Sequence, residues 1–164
     1  MKLYIVRHAI AEKQKKNIHP IDDRLLTKTG IRKMSKNAEA IAKIVSFPIS
    51  IISSPLKRAF HTSEILASKI EQSVTIVRSN NLLPETSVDK IIQLCKKYSK
   101  HTNILIVGHE PSLGEFLRAA LHQKIQPFVL KKGSLCCIEF NTEQPKKSAF
   151  LFYMPPKVLR ALIR

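Results

Sequence analysis

The chain has 164 residues, with 28 Lys+Arg against 12 Asp+Glu, a formal charge of +16, and 44% apolar residues. That length suits one domain over residues 1–164, and the apolar fraction excludes wholesale disorder. No apolar run approaches the roughly 18 residues of a membrane span, and Arg7 and His8 arrive too early for a secretory signal, so a soluble cytoplasmic protein is expected.

Residues 2–6 (Lys-Leu-Tyr-Ile-Val) read as a buried strand, and residues 7–26 as polar and irregular. A helix opens after Leu26, with Thr27 or Thr29 as N-cap and Ile31, Met34, Ala38, Ile41 and Val45 on one face. Pro48 closes that segment, and residues 49–52 form a short strand. Ser53-Ser54-Pro55 is expected to cap a second helix, with Pro in its first turn. Residues 74–77 are another β-branched run. Ser87 caps a helix striped by Val88, Ile91, Ile92, Cys95 and Tyr98. Residues 103–107 are a strand, and Pro111 begins a helix striped by Leu113, Phe116, Leu117, Ala120 and Leu121. Residues 133–140 and 148–153 read as two strands joined by a polar turn, and the last ten residues as a short helix or a loose tail. This alternation predicts an α/β sandwich around a mainly parallel sheet.

The charge is uneven: residues 1–60 hold 13 basic and 4 acidic residues, whereas residues 61–120 hold 7 and 6. Such an excess attracts anions, whether phosphorylated groups, acidic proteins or nucleic acid. Cys95, Cys136 and Cys137 show neither a Cys-x-x-Cys pair nor a His/Cys cluster, so they read as buried thiols rather than zinc ligands or disulfides.

Open α/β sheets carry their sites at the carboxyl ends of the strands. Arg7-His8 follows the first predicted strand, Ser53 to Arg58 the second, and Gly108-His109-Glu110 the strand at 103–107. Two histidines and two arginines are thereby delivered to one sheet edge. Forked guanidinium donors match the oxygens of a phosphoryl group. A neutral imidazole is a nucleophile near pH 7, and a neighbouring Arg favours that neutral form. A second, protonated histidine stabilises charge on an equatorial oxygen. Phosphoryl transfer then needs positioning and charge neutralisation, so no metal and no cofactor is expected.

Five stretches occur in a telling order: Tyr4-Ile-Val-Arg-His-Ala9, Leu25-Leu-Thr-Lys-Thr-Gly30, Ser53-Ser-Pro-Leu-Lys-Arg-Ala-Phe-His-Thr62, Leu83-Pro-Glu85 and Ile106-Val-Gly-His-Glu-Pro111. Together they resemble the histidine phosphatase superfamily, of phosphoglycerate-mutase-like fold, and in particular its short SixA-like phosphohistidine phosphatases. The resemblance implies a three-layer sandwich and a phosphatase acting through a covalent intermediate. His8 would be the nucleophile, Arg7 and Arg58 the phosphoryl clamp, and His109 the group opposite. Arg24, just before the Leu-Leu-Thr signature, would also face the phosphate. The usual Arg-His-Gly is here Arg7-His8-Ala9, which implies that residue 9 is not left-handed.

An ester phosphatase must protonate its leaving oxygen. Glu85 is the candidate acid, ahead of Glu110 and Glu12. A phosphohistidine substrate relaxes that demand, because its P–N bond is labile and its leaving nitrogen is readily protonated. Mutases and acid phosphatases resembling this core carry long roofing insertions, which the short segment from Glu85 to Asn103 lacks. An open site suits a side chain presented by another protein. His61 reads as an exposed helix residue, and His19, His101 and His122 as surface. Lys13, Lys15 and Lys16 sit near the site and would steer an acidic phosphoprotein.

The expected function is therefore metal-independent removal of phosphoryl groups from phosphohistidine in proteins. A phosphotransfer protein is the expected partner, and phosphate or another oxyanion the expected occupant of the site. One alternative is a small-molecule phosphomonoesterase of the same superfamily. Another is a non-enzymatic basic protein that binds nucleic acid or an acidic partner. Aromatics at 6% and no Trp leave few stacking platforms, which argues against nucleic acid.

Overall fold

The computed structural model describes residues 1–13, 24–70, 73–122 and 129–163. Six strands form one sheet in the order β3-β2-β4-β1-β5-β6. The strands are β1 (Lys2–Arg7), β2 (Ser50–Ser53), β3 (Ile76–Arg78), β4 (Asn103–Gly108), β5 (Leu135–Glu139) and β6 (Ala149–Met154). The first four run parallel, and β5 and β6 add an antiparallel hairpin beside β1. The helices are α1 (Lys28–Ile44), α2 (Lys57–Ala67), α3 (Val88–Lys97), α4 (Ser112–Ala120) and α5 (Pro156–Ala161).

The strands are apolar on both faces because helices cover both faces. Along β1 the two-residue period sends Tyr4 and Val6 to one side, against Met34 and Ile41 of α1, Leu66 of α2 and Leu159 of α5. Leu3 and Ile5 face the other side, against Ile91 of α3 and Phe116 of α4. The result is the three-layer, phosphoglycerate-mutase-like sandwich with a mixed but mostly parallel sheet. No helix among the described residues is long and apolar enough to cross a membrane.

Several local expectations shift. Thr27, not Thr29, caps α1, its hydroxyl accepting the Gly30 N–H at 2.9 Å. Ile31 is exposed, and Gly30 takes the buried position beside Met34. The second helix starts at Lys57 with Leu56 at its N-cap and no side-chain cap, because the serines before it are engaged elsewhere. Ser87 likewise gives α3 no side-chain cap, and Leu94 joins Ile91 and Cys95 on its buried face. The strands predicted at 49–52 and 74–77 each begin later, at Ser50 and Ile76. The chain end forms α5 and docks on α1 through the fully buried Leu159. All three cysteines are free and buried.

The Leu-Thr-Lys-Thr-Gly signature ties α1 to the segment after β1. Thr27 N–H donates to the Ile10 carbonyl, and Glu12 N–H to the Leu25 carbonyl, both at 3.0 Å. A Cβ on Gly30 would stand 2.1 Å from the Ile10 oxygen, so glycine is required by close approach. Gly30→Ala is expected to cost about 2 kcal/mol or more of stability, since backbone must move to admit the methyl. Chemical denaturation checks this: an unchanged midpoint would contradict the packing.

Candidate active site

The site is built by register. Arg7 pairs with Gly108 between β1 and β4, and Ser53 with Val107 between β2 and β4. The ladder runs one residue further on each side: His8 N–H donates to the Gly108 carbonyl at 3.0 Å, and Ser54 N–H to the Val107 carbonyl at 2.9 Å. His8, Ser54 and His109 therefore leave the same sheet edge side by side. Arg58 follows in the first turn of α2.

The two imidazoles face each other with centroids 5.0 Å apart, tilted by 51°. His8, His109 and Arg58 are all buried. His8 Nδ1 lies 2.7 Å from the Ala9 carbonyl, which only accepts, so Nδ1 carries the proton and Nε2 keeps its lone pair. His109 Nε2 lies 2.9 Å from Ser54 Oγ, which also receives the Leu56 N–H at 3.4 Å. Ser54 Oγ can donate to Nε2 or accept from it, so this bond holds the ring in either tautomer. His109 Nδ1 is buried with no hydrogen-bond partner among the described residues, open to a ligand.

Burial among cations holds both rings neutral. His8 is lowered to about 3, first by desolvation, then by Arg58, Arg7 and Lys132 acting against the amide tie to Ala9. His109 is lowered to about 2 by desolvation, then by His8, Arg58, Arg7 and Arg24. The protonated His109 expected opposite a phosphoryl group is disfavoured in the free protein by this burial and by the neighbouring cations.

Two sets of supporting bonds hold these side chains in place. Thr62 Oγ1 receives the Ala9 N–H at 3.1 Å and donates to the Arg58 carbonyl at 2.6 Å, joining α2 to the residue after His8. Arg7 Nη1 donates to the Leu130 carbonyl at 2.8 Å, and Leu130 N–H donates to Glu110 Oε1 at 2.8 Å. Glu110 is raised by burial, while the Leu130 amide and Arg7 oppose the rise. It is engaged as a brace for Arg7.

The structure thus brings Arg7, His8, Arg58 and His109 together, with Arg24 close enough to act on His109. Glu85 is exposed and adopts a positive φ of 62° after the short turn that follows β3. Ala9 keeps a negative φ, since Glu85 and His122 are the non-glycine residues with positive φ among those described. His61 is half-buried, whereas His101, His122, Glu12 and Lys13 are exposed. The remaining surface readings, His19, Lys15 and Lys16, lie outside the described residues. Sequence reasoning missed the roles of Ser54, Glu110 and Lys132. Only the three-residue offset between Ser54 and the helix start at Lys57 hinted at the first. The turn signal Lys131-Lys132-Gly133, with Gly133 at φ 73°, was available for the last.

The sequence profile of the histidine phosphatase superfamily, branch 1, matches residues 3–83. An uncharacterized protein of Picosynechococcus sp. is 30% identical over 138 residues, 82% of each chain. The solved structure of the protein histidine phosphatase SixA complexed with tungstate superposes with a TM-score of 0.80 at 18% identity, covering 96% of this chain and 98% of its own. An alpha-ribazole phosphatase from Shigella flexneri superposes with a TM-score of 0.73 at 17% identity, covering 95% and 97%. At these identities the superpositions establish the fold alone. Because both span nearly the whole of each chain, the absence of roofing insertions does not separate a protein substrate from a small one.

Proposed function

This chain belongs to branch 1 of the histidine phosphatase superfamily and is a phosphatase of that superfamily; on that premise we propose that it dephosphorylates phosphohistidine in proteins, without a metal, through a phosphohistidine formed on His8. The observation that carries the reading is the pair of buried imidazoles, one with a free Nε2 lone pair and one with a buried Nδ1 that has no partner among the described residues.

The chemistry follows from these atoms. His8 Nε2 attacks phosphorus in line, an N–P bond forms, and the substrate's P–N bond breaks. Arg7, Arg24, Arg58 and Lys132 supply the positive charge that the phosphoryl oxygens need. His109 donates to an oxygen on the opposite side. The substrate ring is first protonated from solvent on its other nitrogen, which an ordinary imidazole pKa of about 6.5 allows, and so leaves as neutral imidazole when the P–N bond breaks. Water then attacks the phosphoenzyme, releasing phosphate and restoring His8.

Among the described residues, neither Glu85 nor Glu110 is placed as a committed acid, which favours the P–N substrate. Glu110 accepts the Leu130 N–H and lies under the charge of Arg7, and Glu85 stands exposed to water. An alkoxide leaving group would need such an acid at the breaking bond; an imidazole takes its proton from solvent at the other ring nitrogen.

The test is phosphate release in EDTA from a histidine-phosphorylated phosphotransfer protein and from a panel of phosphate esters. The expected kcat/KM for the phosphoprotein exceeds that of every ester by at least about tenfold. The opposite order would overturn the substrate assignment in favour of a small-molecule phosphomonoesterase and make Glu85→Gln the next variant. Retention of full activity in EDTA is expected, and its loss would overturn the metal-independent mechanism.

A further inference from the structure

Beside the nucleophile lies a second pocket, of about 160 Å³ and open on one side, whose Lys33 and Arg160 the reaction above leaves unused. Lys33, Lys132 and Arg160 line it, together with Ala9 and Asn37, and among the described residues no acidic one does. Lys132 also acts on His8, so the pocket begins where the phosphoryl site ends.

Three cations collected without an anion repel one another and lose hydration. Among the described residues, none of the three is in an ion pair. The Lys132 ammonium is lowered by burial and by Arg7, Arg24 and Arg58, with no acidic group opposing the shift.

Arg160 is held in place by a buried polar chain. Its Nη1 donates to Asn37 Oδ1 at 3.0 Å, and Asn37 Nδ2 donates to the Gly133 carbonyl at 2.9 Å. Gly133 N–H in turn donates to the Arg7 carbonyl at 2.9 Å. Asn37 is 1% exposed on the apolar face of α1, a costly position for an amide unless both its ends are bonded. Both are bonded here, and one effect is to fix a guanidinium at the pocket with four of its five N–H donors unused.

We propose that this pocket is a second anion subsite, which takes a carboxylate presented next to the phosphohistidine by an acidic protein substrate. The inference rests on the phosphoprotein reading above and names the surface chemistry of that partner. Its volume is well below the 300 Å³ or more of sites for drug-sized ligands, and it suits a carboxylate rather than a sugar ring or nucleoside.

Two measurements test it. The first is the binding of methylphosphonate, phosphonoacetate, 3-phosphonopropionate and 4-phosphonobutyrate by calorimetry, to the wild type and to Lys33→Glu. The best carboxylated phosphonate is expected to bind about tenfold more tightly than methylphosphonate, and Lys33→Glu to erase that gain while leaving methylphosphonate unchanged. Equal binding of all four, or a gain that survives in Lys33→Glu, would overturn the subsite while leaving the phosphoryl site standing. Binding of none would overturn the phosphoryl site and the subsite with it. The second is turnover by Lys33→Glu: kcat/KM is expected to fall about tenfold for the histidine-phosphorylated protein and to stay within twofold for phosphoimidazole. Equal losses on both would show a general defect and overturn the subsite. No loss on the protein would overturn the protein as the source of the carboxylate.

Discussion

His8→Ala is expected to lower turnover by about 10⁴-fold or more and to abolish the base-stable phosphoenzyme seen on brief exposure to substrate. The Nδ1 of His8 is tied to the Ala9 carbonyl, so its ring offers the site a free Nε2 lone pair. Its removal leaves the guanidinium groups to bind phosphate without a nucleophile. Phosphate affinity should therefore survive, which separates loss of chemistry from loss of fold. Wild-type activity in His8→Ala would sink the covalent route.

The same residue carries a pH signature. Burial first, and the neighbouring cations second, lower His8 to about 3, so falling pH does not protonate it until well below 6.5. In the free protein its ring resonances are expected to keep their neutral shifts from pH 8 down to pH 5, where an ordinary imidazole would be about 97% protonated. A midpoint near 6.5 for His8 would contradict the packing around it. Linkage has a definite sign here. Below pH 6.5 the unfolded chain gains protons that the folded state refuses, so stability contributed by the neutral rings is full above 6.5 and is lost progressively toward pH 3.

Arg58→Ala is expected to reduce kcat/KM by about 10³-fold, and Arg58→Lys by about 10- to 100-fold. Arg58 is 3% exposed, at the first turn of α2, and its charge acts on both imidazoles. The alanine variant removes the charge and the forked donors together. The lysine variant keeps the charge and removes the fork, so the difference between the two reports the geometry. Thermal unfolding of both variants would identify a folding defect, and the lysine variant keeps the comparison meaningful if alanine unfolds. Equal activity of Lys and Arg at this position would reduce the role to charge alone.

Much of the site was legible because it follows strand ends. A buried parallel strand announces itself as a short apolar run, and the polar residue after it must emerge at the carboxyl edge. Residues 2–6, 49–52 and 103–107 carried that signal, and Arg7-His8, Ser53-Ser54 and Gly108-His109 followed from it. Gly30 was equally readable as part of a signature, although its reason, the 2.1 Å approach of a Cβ to the Ile10 oxygen, was not.

What the linear pattern could not contain was any choice made between distant groups. Ser54 has the local chemistry of a helix cap, yet its hydroxyl faces His109, 55 residues away, because β2 and β4 lie side by side in register. Glu85 and Glu110 look alike as carboxylates; one stands in water and the other braces Arg7 through Leu130, a contact across 123 positions of chain. The neutrality of both histidines belongs to the same class, since it comes from burial among four cations drawn from separate segments. The sequence by itself determined the elements, the family and the sheet edge that bears the chemistry, because these follow from local periodicity and residue order. Only the tertiary structure decided hydrogen-bond partners, protonation states and the second basic pocket, because each is a free-energy competition among groups that meet only when the sheet closes.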